Sequence, residues 1–466
     1  MKKIYFFCTF LWCGLIFPQI SVQKDSGFGN QGSFSTSFPT ENGLDFKSNL
    51  IVLADFSLLQ TVCFSEGSYL IKLKPDGNPD LNFAENGVLN LESNNYINAV
   101  LQGEKIIVYS GPKFPDFADY ADSKIVRYNN NGTLDTSFGS NGVLDIVTES
   151  THCQSLSVLV LNDKSFIVDS GSSYGLKKFT ENGQPILNFG NSGELNYAYH
   201  FPLGIFPNGK IVTYDLNSTS SEFSFFDLNN PTNSKLLDFK MESCGQNSGS
   251  SSQFYVNSAR ILNDGTIFST IQFPYTNNLA ERSRLVVSNY EVINQNFKGK
   301  GYLNAPSEEL FLDAGFSANS FIVLTEKKDA KKLYAVSKAG KYISINNIDS
   351  FSLQSGNEIE TSGSSVFVSS VFATDGKINL KIEKLNVKNS NEAVSQKKVA
   401  VNNPFADEIN IKSDDFAKAE IFEISGKRLI SSQLQNINTA YLPKGNYLLK
   451  VSLKNGSSVC KKIMKL

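Results

Sequence analysis

Histidine is nearly missing: His152 and His200 are the only two in 466 residues. Two imidazoles cannot build a multi-histidine metal centre, so the usual zinc chemistry is disfavoured from the outset. An excess of charge of one sign is also lacking. The 43 Lys and Arg nearly balance the 45 Asp and Glu, leaving no basic footprint of the kind that holds nucleic acid. Charged residues make up only 19%, and 14 Pro with 33 Gly are too few for a collagen-like or low-complexity chain. Beyond residue 20 no apolar run is long enough to cross a bilayer as a helix. Against one Trp and three Met stand 36 Phe and 18 Tyr. Aromatic side chains of that kind suit strands, and the expectation is an all-β protein with two or three domains.

Lys2 and Lys3 open the chain, and Ile4 to Ile20 follow with few polar groups, the pattern of a secretory signal peptide over residues 1–22. Its apolar run before Pro18 is about 14 residues, short of the roughly 20 a membrane helix needs. Removal is therefore expected, with Ser21 or Val22 as the last residue lost. Lipoprotein processing at Cys13 is disfavoured by the bulky Trp12 before it. Cys63, Cys153, Cys244 and Cys460 remain, far apart and in no C-x-x-C pair. They allow one or two disulfides, with three full pairings open, or equally a set of small buried apolar residues.

Charge is unevenly spread. Residues 396–466 carry 12 Lys and Arg against six Asp and Glu, a net +6, and the leader carries +2. The chain total of −2 therefore leaves −10 for residues 23–395. A polar linker over 389–398 separates the acidic body from the basic tail, 399–466. Short alternating runs in the tail, Glu408 to Ile411, Lys418 to Ile424, Asn446 to Leu453 and Val459 to Met464, predict a small β-sandwich. Asn403-Pro404-Phe405 opens it, and Ala419 to Lys427 forms a strand and turn ending in Gly426-Lys427. Tyr441 to Val451 follows with Leu442, Gly445 and Tyr447, and Lys461-Lys462-Ile463-Met464-Lys465 closes the chain. In that order these motifs resemble the type A C-terminal sorting domain of the Bacteroidetes type IX secretion system. Ser425 stands where the family usually has Asp or Asn. The resemblance implies an immunoglobulin-like fold recognised by the type IX translocon and a sortase, after export to the periplasm, with delivery outside the cell or onto its surface.

The body repeats. A strand, an Asp-Gly or Asn-Gly pair, then Asp/Asn-x-x-Phe-x-x-x-Gly and a short strand recur at Leu70 to Leu91, Ile125 to Ile146 and Leu176 to Tyr197, with a worn copy at Leu285 to Leu303. Residues 25–32 are the second half of the same unit. The motif residues are Phe28 with Gly32, Phe83 with Gly87, Phe138 with Gly142, Phe189 with Gly193 and Phe297 with Gly301. Phe239 and Phe351 stand where the beat places two further copies, so that the phenylalanines recur along the body at a nearly even interval. Seven β-branched runs keep the same beat, from Leu50 to Leu53 through Lys105 to Tyr109 as far as Val366 to Val371. About four strands per unit, for example Gly87 to Leu91, Ile97 to Leu101, Lys105 to Tyr109 and Ser123 to Tyr128, predict a seven-bladed β-propeller over 23–388. A β-helix or stacked sandwiches of the same period are the alternatives. The segment around Phe28 is expected to complete the last unit. Asn131 to Gly142 (NGTLDTSFGSNG) resembles the delta-60 repeat family, which implies propeller blades and no chemistry.

Candidate sites are few. Gly171-Ser172-Ser173-Tyr174-Gly175 fits the G-x-S-x-G of a nucleophile elbow but is followed by a strand, where the elbow requires a helix. Asp76 to Asp80 begins like a calcium loop and has Gly87 where a bidentate Glu is required, so turn chemistry explains it better and scattered calcium is the lesser reading. His152 beside Cys153 would point to opposite faces of a strand. The loops at Lys113 to Tyr120, Asn217 to Phe226 and Ser243 to Gln253 offer aromatic, acidic or Gly/Ser-rich surface. No catalytic, metal-binding or cofactor-binding residue is assigned. A secreted scaffold binding an unknown extracellular glycan or protein is expected, with a propeller enzyme using channel carboxylates as the alternative.

Overall fold

A computed structural model describes residues 20–41, 46–91, 95–113, 123–146, 156–169, 175–195, 200–205, 210–216, 221–227, 230–237, 255–262, 264–273, 282–289, 292–293, 297, 301–306, 308–327, 330–348, 355–389, 399–423, 428–454 and 458–466. These residues contain strands and turns and no helix. The chain divides into two compact units, one spanning Val22–Val387 and the other centred on Lys388–Leu466.

In the larger unit the described residues form seven antiparallel sheets. The first sheet is Phe46–Val52, Leu58–Phe64, Gly67–Leu73 and Val88–Asn90. Asn95–Gln102, Lys105–Lys113, Ser123–Tyr128 and Val143–Ile146 make the second. The third to sixth sheets begin with Ser157–Val160, His200–Ile205, Tyr255–Ile261 and Leu310–Ser317. Ser355–Ser362, Ser365–Thr374 and Lys377–Asn389 belong to the seventh, and Ser33–Pro39 and Ile20–Lys24 from the start of the chain both pair with Lys377–Asn389. Each sheet's first strand packs beside the first strand of the next, and Ser355–Ser362 returns to Phe46–Val52. The cycle closes as a β-propeller. Second strands such as Leu58–Phe64 are buried along their whole length, between the sheets before and after. That is why they do not alternate polar with apolar positions, and even Gln60 and Thr61 of Leu58–Phe64 are buried.

Two details of the expected repeat shift. Val88–Asn90 does not open a unit; it is the outer strand of the first sheet, with Leu70 opposite Leu89. The motif between Asp80 and Gly87 turns the chain back on itself, so the strand after it pairs with the strand before it. Leu50 to Leu53 belongs to a first strand, and the second-strand counterpart is Leu58–Phe64. Here the turn has no glycine: Phe56 takes φ 67° in its place, and Asp55 Oδ1 accepts the Ser57 amide at 2.9 Å. Phe239 and Phe351 lie outside the described residues, as do residues 1–19 of the leader. Ile20–Lys24 is a strand, so the expected cleavage boundary falls within it.

The motif works in the same way at Phe28, Phe83 and Phe138. Phe83 N donates to Asp80 O at 2.9 Å and Gly87 N to Phe83 O at 2.8 Å; Phe138 and Gly142 repeat this at 3.1 and 2.7 Å. Phe83, Phe138 and Phe297 are fully buried, and Phe28 nearly so. The residue after Phe28, Phe83 and Phe138 then reaches the next sheet. Gly29 N donates to Asp76 O at 2.7 Å, Ala84 N to Asn131 O at 2.9 Å, and Gly139 N to Asn182 O at 3.0 Å. A Cβ added to Gly77 would stand 2.8 Å from the Phe28 ring, and one added to Gly132 would stand 3.2 Å from the Phe83 ring. The Asx-Gly turn of one sheet is therefore the seat for the phenylalanine of the sheet before it. At Gly132 the backbone also takes φ 85°, a conformation that glycine adopts without steric cost.

Phe138→Ala is expected to lower the unfolding free energy by about 3–5 kcal/mol, and Gly132→Ala by at least about 1 kcal/mol. Urea unfolding of the purified variants checks both, and an unchanged midpoint for either one would contradict this packing.

Candidate functional site

First strands surround the axis of the ring, and three consecutive ones carry a linked set of charges. Arg260 is on Tyr255–Ile261, Asp313 on Leu310–Ser317, and Glu358 and Glu360 on Ser355–Ser362. The Arg260 guanidinium donates from Nε to Ala314 O at 2.7 Å and from Nη2 to Asp313 Oδ2 at 3.1 Å and Ile359 O at 2.5 Å. Nη1 donates to Glu360. Asp313 Oδ2 also accepts the Ile359 amide at 2.7 Å. Glu358 turns the other way, and its Oε2 accepts the Leu50 amide of the first sheet at 2.6 Å. Four consecutive positions of the ring, the fifth, sixth, seventh and first sheets, are thus joined through these side chains.

Electrostatics follow from burial. Arg260 loses water but gains Asp313 and Glu360, and the gain raises its pKa. Burial pushes the Glu358 carboxyl up, the Asp313 charge adds to it, and the result is about 8. Glu360 is raised as well, by burial and then against the pull of Arg260. Sequence reading singled out none of these residues. The available signal was a charge within a first strand, and that signal has no fixed spacing.

The residues that the sequence did single out are turn chemistry or lie elsewhere. Asp76 Oδ1 accepts the Asn78 amide at 3.0 Å, and Asp80 Oδ1 accepts that of Asn82 at 3.2 Å while Oδ2 faces Lys72 Nζ at 3.4 Å. Burial alone would raise Asp135, but Ser137, Lys105 and Arg127 together bring it down to about 2. Arg127 also lies 4.7 Å over the Phe138 ring, so charge and ring pack as one group. Cys63 is buried and free, with its thiol pushed up to about 11 by desolvation; Cys460 is exposed and free. Among the described residues no cluster of three or more His, Cys, Asp or Glu is placed to hold a metal. Ser172 and Ser173, His152, Cys153, Cys244, Gly426, Lys427 and the loops at 114–120 and 243–253 fall outside the described residues. Of the loop at Asn217 to Phe226, the part from 221 onward is a strand, Ser221–Asp227.

In the tail unit, Ala400–Val401, Glu408–Lys412 and Asn436–Asn438 form one sheet. Phe416–Glu423, Arg428–Ser432, Gly445–Leu453 and Ser458–Lys465 form the other. Three of these strands, Ala400–Val401, Arg428–Ser432 and Asn436–Asn438, are short and add to those expected from the alternating runs. Phe405, Ile409, Ile421, Leu442, Tyr447, Leu449 and Ile463 fill the space between the sheets. The opening and closing motifs meet. Asn403 Oδ1 accepts the Met464 amide at 2.9 Å and its Nδ2 donates to Lys462 O at 3.1 Å. Phe405 N donates to Met464 O, and Leu466 N donates back to Phe405 O, both at 2.9 Å. Tyr447 hydroxyl donates to Pro443 O at 2.6 Å. The buried Lys465 ammonium donates to Thr439 O at 2.5 Å and Ala440 O at 3.0 Å.

Comparison with known proteins bears on both units. Residues 403–465 match the family described as secretion system C-terminal sorting domain. Residues 116–138, which include Phe138 and the turn before it, match a β-propeller domain of unknown function. No curated protein matches the chain. Among solved structures, virginiamycin B lyase from Staphylococcus aureus is 9% identical with a TM-score of 0.44, over 76% of this chain and 99% of that one. A streptogramin B lyase is 10% identical at TM-score 0.43, over 77% and 98%. The polysaccharide lyase Uly1 is 10% identical at 0.43, over 72% and 89%. At these scores neither activity nor substrate transfers. Among the described residues no helix is long and apolar enough to cross a membrane. The chain is a secreted or outer-surface β-propeller protein that carries a type IX secretion system C-terminal sorting domain at residues 403–465.

Proposed function

We propose that the ring, 23–388, is an extracellular binding and adhesion scaffold for a glycan or protein. A leader over 1–22 exports it, a linker at 389–398 follows it, and the type IX translocon and sortase read its tail. The observation that carries this reading is the state of the inner-strand carboxylates. Asp313 and Glu360 are held by Arg260, and Glu358 accepts the Leu50 amide. A glycosidase-type pair needs one carboxylate free to attack or to activate water, and these groups serve to join sheets.

A second reading is a propeller enzyme that degrades glycans, and Glu358 favours it. A carboxyl that keeps its proton up to about pH 8 is suited to donate one at neutral pH. The two readings separate in a screen of the full chain against glycans and secreted proteins. The scaffold reading expects saturable binding with the ligand recovered intact. Chain scission or new reducing ends, abolished by Glu358→Gln, would overturn it.

Two further outcomes are expected. Deleting 399–466 should trap the body in the periplasm, and normal surface delivery of the truncated chain would overturn the sorting role. The folded state holds the Glu358 proton up to about pH 8, whereas an unfolded carboxyl loses it near 4.3. Between those values the fold binds more protons than the unfolded chain, so stability falls as pH rises through that window. Glu358→Gln should flatten the fall, with a melting temperature near the parent's at pH 5 and above it at pH 8. Parallel melting curves across this range would contradict the assignment.

A further inference from the structure

We propose that the solvent side of the four-stranded tail sheet is the surface on which an acidic protein component of the secretion machinery docks; this rests on the sorting-domain reading. Antiparallel register sets which side chains share that side. Glu420, Lys450 and Cys460 lie in one row across the sheet, and Arg428, Phe422, Leu448 and Lys462 lie in the next. Asn446 and Met464 begin a third row. The alternate residues Ala419, Ile421, Leu449, Val451 and Ile463 fill the core on the opposite side. Leu448, on an inner strand, is therefore left 40% exposed, and Met464, near the end of the edge strand beside it, 43%.

Cations surround these apolar side chains. Glu420 is the one carboxylate in these rows, and it is already taken by Lys418 and Arg428, both at 3.0 Å. Lys450 and Lys462 stand beyond it on the neighbouring strands. An apolar centre with a charged rim is the anatomy of a protein interface. The charge sign selects a partner that presents carboxylates around an apolar contact. A second copy of the same face would set cations against cations. The outward side of the other tail sheet offers no comparable surface: it carries Glu408, Asn410 and Lys412 beside Asn436 and Asn438, which are polar and nearly balanced in charge.

The test compares the full chain with L448E, with the pair K450E and K462E, with the pair K450R and K462R, and with K412E on the other sheet, all in the producing cell. The reversed and apolar-to-charged variants should lower the secreted amount about tenfold, equivalent to about 1.4 kcal/mol of docking, with the chain accumulating in the periplasm. The arginine pair and K412E should export as the parent does. Urea unfolding of each purified full chain identifies any variant that fails to fold. The K450E and K462E pair, which alters only side chains at the solvent side, carries the test if L448E does. Normal export of the reversed pair, while deletion of 399–466 blocks export, would overturn this face and leave the sorting role standing. Unimpeded export of the deleted chain would overturn the sorting role itself. Parent chain that sediments with phosphatidylglycerol vesicles when the reversed pair does not would assign the face to a lipid surface and overturn the protein partner.

Discussion

A phenyl ring seated on the Asx-Gly turn of the following sheet is the contact on which the body depends. It joins the two halves of the repeat across neighbours: Phe28 meets Gly77, and Phe83 meets Gly132. The glycine must be bare to admit the ring, the ring gains by leaving water, and the backbone amide after it must find the turn carbonyl to replace its lost hydration. One sheet cannot satisfy these conditions, because its seat and its ring belong to different neighbours. A ring of sheets satisfies them at every position, and this is the physical reason that the sequence of the body keeps a period at all.

Where a sequence states this contact directly, the fold is legible. Phe83, Phe138 and Phe189 stand in near-complete copies of the motif, and the second strands do not alternate polar with apolar positions because both of their faces are covered. The strand-to-strand turns are less legible, since glycine is not required there. Phe56 and Lys164 take φ 67° and 64° where Gly265 takes 82°. In each of the three turns an aspartate holds the bend, Asp55, Asp163 or Asp264, by accepting the amide two residues on. The phase of the unit is hard to read for a related reason: the outer strand follows the motif in sequence and pairs backwards. In the tail the ordered motifs are readable, and the short strands Arg428–Ser432 and Asn436–Asn438 are not, because each has few alternating positions.

The charges of the inner strands are the least legible part. Arg260 is far along the chain from both Asp313 and Glu360, and the three come together only because the ring places first strands side by side. Nothing local marks them. Bringing them together out of water raises the pKa of Arg260 through its carboxylate partners and that of Glu360 through burial. The tail reverses this relation: its core residues are hidden, and its informative side chains, Leu448, Lys462 and Met464, are the ones facing solvent.

The closing sheet repeats with distant partners what the others do locally. Asp25 and Lys384 make the backbone bond and ion pair that Asp80 makes with its near neighbour Lys72, and Ser33 lies opposite Glu383. Nearly the whole of the ring lies between the two members of that last pair. A chain that emerges amino end first must therefore carry its opening segment as a loose thread until nearly all the rest has arrived. On arrival the seventh sheet presents an open edge, and the opening segment is what covers it. Loop-closure entropy grows only slowly with such a span, so the delay lies in the order of arrival more than in the free energy of the join. The join therefore waits on the arrival of Lys377–Asn389, and a chain cut short before Lys377 has no strand with which to make it.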